Sequence, residues 1–303
     1  MASSEGPRTL DGLVTESRRA DGDYGSRSTQ ELVELMNAED ASVPAAVAAV
    51  AAELATAVDA IAERLAGGGR LVYVGAGTSG RLAELDAEEC EGTFSTRAGQ
   101  VVALVAGRDA AGSAEREAAE DDAATGRQAV EQLGVSSADA VVGVSASGRT
   151  PYVLGALAAA AEAGALTVAL VAAEASELAR IAEHELAVVV GPEVVSGSTR
   201  LKAGTAQKLV LNTISTVTMI RLGKTYGDLM VDVRASNEKL EARARRVVRE
   251  AAGVSDEEAR DALEAAGGSA KVAVVALLAH LDPDAARTRL EQAGGDIQAA
   301  LAS

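Results

Sequence analysis

Two glycine-rich stretches of this 303-residue chain bring together the residue types that could do chemistry. Gly75, Gly77 and Gly80 spell G-x-G-x-x-G around Thr78 and Ser79, while Ser145, Ser147 and Thr150 surround Gly148 in S-A-S-G-R-T-P. Each stretch follows a short apolar, β-rich run and precedes a helical pattern. A loop so placed points unpaired backbone N–H groups, at the positive end of a helix, toward an anion above it. The first loop alone fits a dinucleotide, with Asp109 beyond the second strand as a ribose-binding carboxylate. A dinucleotide does not need the second loop. Thr78, Ser79, Ser145, Ser147 and Thr150 together suit a compact phosphate monoester. Thr150, just before Pro151, also has the place of a helix N-cap, a bland use open to one of these hydroxyls whatever the function.

The elements that must hold these loops are legible from periodicity. Apolar positions recur at helical spacing over Ser28 to Asn37 and Pro44 to Leu65, closed by Gly67, Gly68 and Gly69. Strands are expected at Leu71 to Val74, Val101 to Val105, Val141 to Val144, Leu166 to Val171 and Leu186 to Val190. Between them the spacing predicts helices from about Arg81, over 112–133 and from Pro151. Continuous apolar strands alternating with helices predict a doubly wound parallel sheet, an α/β fold. A long, mostly apolar helix is expected over Leu201 to Leu222, buried in the domain or against a second subunit. Beyond about Val248 the strands stop. Ser255 with Glu258 forms a capping box opening a small all-α region, with further helices near Ala270 to His280, Asp284 to Ala293 and Asp296 to Leu301. The expected division is a loose terminus at 1–10, an α/β domain at 11–247 and a small helical domain at 248–303.

Composition narrows the partners. The net charge of -17 disfavours nucleic acid and anionic membrane surfaces, which would repel the chain. Four tyrosines, one phenylalanine and no tryptophan leave the core to Ala, Val and Leu. Cys90 is the only cysteine, so no intrachain disulfide or thiolate metal cluster can form. His184 and His280 are too few and too far apart in sequence for a metal site. The first ten residues lack the layout of a signal peptide, and a cytoplasmic location is the expectation.

At this point the chain resembles the N-acetylmuramic acid 6-phosphate etherases of the sugar isomerase domain superfamily. The matching stretches are V-G-A-G-T-S-G-R-L-A from Val74, L-D-A-E-E-C from Leu85, V-G-V-S-A-S-G-R-T-P-Y from Val142, the run Gly191 to Asn212, G-D-L-M-V-D from Gly227, and A-S-N-E-K-L from Ala235. The C-terminal part resembles that family's small ubiquitin-associated-like domain. The resemblance implies a cofactor-free, homodimeric enzyme, its subunits completing each other's sites. It would cleave the D-lactyl ether of N-acetylmuramic acid 6-phosphate, giving N-acetylglucosamine 6-phosphate and D-lactate in cell-wall recycling.

Carried over by motif, Glu89 matches the catalytic acid and Glu120 the second active-site carboxylate. The chemistry is elimination followed by hydration. In the open-chain sugar the C1 aldehyde acidifies the C2 proton, lactate leaves C3, and water adds to the alkene. A carboxyl group with a raised pKa serves both proton transfers. Without the resemblance, both glutamates sit in acidic runs that read as solvated surface: Glu84, Asp86, Glu88, Glu91 around one, Glu115, Glu117, Asp121, Asp122 around the other. Arg19 stands where the family commonly has Asn, and Glu88 where relatives often have a small residue. Lys202 and Lys208 are candidate counter-charges for the phosphate or the lactyl carboxylate, and read equally well as a solvated helix flank. Two other readings share the phosphate loops: a sugar-phosphate isomerase, and a non-catalytic phosphosugar-binding regulator.

Overall fold

Parallel strands covered on both faces have no polar side to show, and here they assemble as apolar runs should. In the computed structural model, residues 13–20, 22–232 and 238–302 are described. The expected loose terminus and the first half of A-S-N-E-K-L lie outside them. The described residues begin with a 3-10 turn, Val14–Glu16, then helices α1 (Thr29–Asp40), α2 (Val43–Ala49) and α3 (Ala51–Ala66). There follow β1 (Leu71–Gly75), α4 (Gly77–Phe94), β2 (Val101–Val105), α5 (Ser113–Glu120), α6 (Ala123–Leu133) and β3 (Ala140–Val144). Next come α7 (Pro151–Glu162), β4 (Leu166–Val171), β5 (His184–Ala187) and α8 (Lys202–Arg221). A short antiparallel hairpin, β6 (Thr225–Tyr226) with β7 (Leu229–Met230), precedes α9 (Glu238–Ala252), α10 (Asp256–Ala265), α11 (Ala270–Ala279), α12 (Pro283–Gln292) and α13 (Ile297–Ala302).

The main sheet has the order β2-β1-β3-β4-β5, and β1–β3, β3–β4 and β4–β5 pair in parallel. Val72 and Val74 of β1 join a core with Val141, Val153, Leu157, Val171 and Leu178, on the side of α6 and α7. Alternate residues face the other way, and there the Tyr73 hydroxyl donates to Asp86 of α4 at 2.9 Å. With so few aromatics, packing relies on backbone approach. A Cβ on Gly126 of α6 would lie 2.0 Å from the Tyr152 carbonyl, and one on Gly155 of α7 2.0 Å from that of Ala123.

Contact density separates a unit of residues up to 86 with 102–214 from a second of 87–101 with 215 onward. The second has its own core, where Val247, Val248, Leu263, Val274, Leu290 and Ile297 are buried between α9 and α13. Three of its helices carry side-chain caps. Ser255 and Glu258 form the expected reciprocal box at α10, Ser269 accepts from Val272 N, and Asp282 accepts at α12.

Several boundaries differ from expectation. The helix expected over 44–65 is broken at Val50, and the one over 112–133 is broken at Asp121, where Asp122 caps α6 by accepting from Thr125 N. Helix α4 starts at Gly77 rather than near Arg81, so Thr78 and Ser79 lie in its first turn. Strand β5 occupies His184–Ala187, earlier than Leu186 to Val190.

Candidate active site

The order of the sheet fixes where a ligand can sit. Strand order reverses between β1 and β3, and in open α/β sheets the crevice at the carboxyl ends of such strands receives the ligand. Both hydroxyl-bearing loops stand at that point, one after β1 and one after β3.

Three glycines shape the first loop for different reasons. A Cβ on Gly75 would fall 2.8 Å from the Gly80 backbone, and one on Gly80 2.7 Å from Val105 Cγ1 and 2.9 Å from the Gly75 carbonyl oxygen. Strand end and helix start therefore touch through backbone alone. Gly77 has φ +53°, and a Cβ there would lie 2.9 Å from Glu120 Oε1. The missing side chain is what admits that carboxylate. The first turn of α4 leaves N–H groups without intrahelical acceptors, as every helix start does. Thr78 Oγ1 accepts from Arg81 Nη2 at 3.0 Å, and Ser79 Oγ donates to Gln207 Oε1 on α8 at 2.9 Å.

In the second loop Ser145 Oγ lies 2.8 Å from Thr150 Oγ1 and 3.4 Å from Ser147 Oγ, and accepts from Gly148 N at 3.1 Å. Ser147 Oγ accepts from Arg149 N at 3.2 Å. Gly148 has φ +64°, with Ser176 Cβ 2.4 Å from where its Cβ would be, so the turn admits only glycine. Thr150 holds the N-cap position of α7 but makes no side-chain cap hydrogen bond. Its hydroxyl belongs to the serine cluster instead.

Beside the first loop lies a cavity of about 730 Å³ lined by Gly77, Thr78, Arg81, Glu84, Arg116 and Glu120, among others. Glu120, at the end of α5, is half-buried there. Burial chiefly, then the charges of Asp121 and Glu117, push its pKa above the usual carboxylate range, and Arg81 pulls against them. A carboxyl group that holds its proton more tightly is better suited to act as a general acid. Arg108, also on the wall, is paired with Glu84.

Glu89 is placed differently. It lies about three turns beyond Gly77 on α4, ~18 Å by helical rise, and is exposed together with Glu88. Asp86 and Cys90 of the same stretch point inward. Asp86 accepts from Tyr73 and, at 2.6 Å, from Asn212 Nδ2 of α8. The structure thus gathers Thr78, Ser79 and Glu120 around one loop and the other three hydroxyls around the second, and leaves Glu89 on a surface. Lys202 is buried against Glu39, which also pairs with Arg19, and Lys208 is exposed. Glu193, fully buried, accepts from the backbone N–H groups of Lys202 and Ala203 and so fills the start of α8. Sequence reasoning missed the parts played by Asp86, Gln207 and Arg81. A lone tyrosine in an aliphatic strand was the available signal for the first.

Comparison with known proteins places this geometry in context. The profile of the glucokinase regulatory protein N-terminal SIS domain matches residues 53–161, and that of the SIS domain matches 125–216. The chain is 58% identical over 290 residues to the N-acetylmuramic acid 6-phosphate etherase of Rubrobacter xylanophilus, covering 95% of this chain and 96% of that one. It is 54% identical to the etherase of Streptomyces coelicolor, covering 97% and 95%. Among solved structures, a phosphoheptose isomerase from Francisella tularensis overlays with a TM-score of 0.51 at 17% identity, covering 64% of this chain and all of that one, a likeness of fold alone.

Proposed function

The chain belongs to the N-acetylmuramic acid 6-phosphate etherase family, and on that premise we propose that its two hydroxyl-bearing loops seat the phosphate while Glu89 and Glu120 move the protons. It is a carbon–oxygen lyase, releasing D-lactate from N-acetylmuramic acid 6-phosphate and leaving N-acetylglucosamine 6-phosphate. The seat of Glu120 over Gly77 carries the reading, because it brings a carboxyl group of raised pKa to a helix start suited to a phosphate.

The amides of the first turn of α4, with Thr78 and Ser79 from one side and Ser145, Ser147 and Thr150 from the other, hold the monoester. With the sugar in its open form, the C2 proton passes to a base, the C2–C3 alkene forms, and the C3–O bond breaks. Glu89 protonates the departing ether oxygen. Water then adds at C3, Glu89 takes its proton back from that water, and a proton returns to C2. Glu120 assists with the C2 proton or with the water. Atoms balance as ether plus water giving alcohol plus lactate.

Glu89 is exposed on α4, and proton transfer at the ether oxygen needs a site closed to water, so this role needs a cover for Glu89. Leu85, one turn earlier on α4, is 53% exposed. A second copy of the chain laid on this helix face would bury the leucine and desolvate the glutamate, consistent with the homodimer that the resemblance implies. Cell-wall recycling and a cytoplasmic location belong to the same reading.

Subunit mixing tests it. Glu89→Gln and Glu120→Gln should each lose on the order of 10²–10⁴ in turnover while keeping the fold. If Glu89 serves the partner's pocket, mixing the two dead variants under conditions of subunit exchange restores up to about a quarter of wild-type activity, through one intact site per mixed dimer. No recovery in demonstrably mixed dimers refutes the shared site. A Glu89→Gln variant with normal turnover removes that residue from the mechanism.

A further inference from the structure

Gln207 of α8 is 3% exposed, and its amide is poised against the first phosphate loop. One turn earlier on α8, a Cβ at Gly204 would make ordinary contact with Thr78 Cγ2 at 3.7 Å and Leu82 Cδ1 at 3.9 Å, so this face of α8 lies along the start of α4. Ser79 Oγ donates to Gln207 Oε1 at 2.9 Å. The other end of the amide, Nε2, is buried and has no hydrogen-bond partner among the described residues.

That arrangement is unfavourable on two counts. Buried N–H donors are rarely left unbonded, whereas carbonyl oxygens tolerate it better. Ser79 also commits its only proton to Gln207, so its oxygen can offer an anion nothing but lone pairs. A half-turn of the amide about its last bond reverses both. Nε2–H then donates to Ser79 Oγ, Oε1 takes the buried position, and the hydroxyl proton is free to point at an acceptor over the helix start.

We propose that Gln207 is a positioning residue for the phosphate: when the monoester binds, its amide donates to Ser79 Oγ, and the Ser79 hydroxyl donates to a phosphate oxygen. This rests on reading the Gly75–Gly80 loop as the phosphate seat. A glutamate at this position could only accept, so it would hold the Ser79 proton and set a negative charge behind the loop. A methionine would fill the space with neither donor nor acceptor.

The test compares kcat and KM for the substrate, and Ki for inorganic phosphate, in Gln207→Met, Gln207→Glu, Ser79→Ala and the Ser79→Ala/Gln207→Met double variant. Gln207→Met should raise KM and the phosphate Ki about tenfold with kcat within about threefold of wild type, and Gln207→Glu should raise both further. The double variant should be no worse than Ser79→Ala alone, because the amide acts only through that hydroxyl. If Gln207→Met raises KM by the same factor with and without Ser79, the glutamine merely supports the fold; the inference is then overturned while the phosphate seat stands. Should Ser79→Ala leave the phosphate Ki unchanged, the seat itself is misplaced and the inference falls with it. If the methionine variant does not fold, the nearly isosteric Gln207→Glu decides alone, and an unchanged Ki there contradicts the proposal.

Discussion

Glu120 and Glu89 show how differently one chain can treat two glutamates. Glu120 is pressed against a glycine with neighbouring acids behind it, and its proton is held more tightly than in water. The consequence for stability has a definite sign. A carboxyl whose folded pKa is raised favours folding most below its unfolded pKa and opposes it once pH passes the folded value. At pH 8 the ionised, half-buried group works against the fold, so Glu120→Gln should melt at a higher temperature than the wild type. The difference should shrink to nothing below about pH 4, where both proteins carry a neutral group. Calorimetry across that range checks it; a variant less stable at pH 8 would mean the charge is favourable in place. Composition could not have singled out either residue. Both sit in acidic runs, and only the motif match separated them from their neighbours. The geometry that distinguishes Glu120 depends on Gly77, far away in sequence.

Helix α4 carries the element-scale argument, since its glycines look alike in the sequence and differ in space. Gly80→Ala would drive a Cβ to 2.7 Å from Val105 Cγ1 and 2.9 Å from a backbone oxygen. Overpacking of that kind costs about 1–3 kcal/mol, and it moves the helix start on which the phosphate is proposed to sit. Gly92→Ala, near the other end, meets nothing within 4 Å and should stabilise by about 0.5 kcal/mol through the unfolded chain. Thermal melts of the two variants should therefore shift in opposite directions, and a shared direction would refute the close-approach argument. The central strands were legible because burial on both faces makes them plain apolar runs. Edge strand β5 was not, since His184 and Glu185 break such a run, and its position shifted accordingly. The breaks at Val50 and Asp121 escaped notice for another reason. Neither has a proline or glycine to mark it, and the Asp122 cap is one carboxylate among many. Helix α4 began early because Gly-Thr-Ser reads as loop, although those residues form its first turn.

At the scale of the whole molecule, a chain poor in aromatics builds its sheet unit with small side chains and backbone contact, and places both hydroxyl loops where the strand order reverses. The alternation of strands and helices made that architecture readable in advance. What sequence could not give was whether anything covers Glu89, because an exposed acidic helix face looks the same whether solvent or a second copy lies against it. All parts converge on one reaction, bond breaking at C3 of the sugar with water entering at the same carbon. Turnover in ¹⁸O-labelled water tests this most directly. The account predicts D-lactate free of label, since the ether oxygen leaves with it, and N-acetylglucosamine 6-phosphate labelled at the C3 hydroxyl. Label in the lactate hydroxyl would place the cleavage on the other side of the ether oxygen and contradict it.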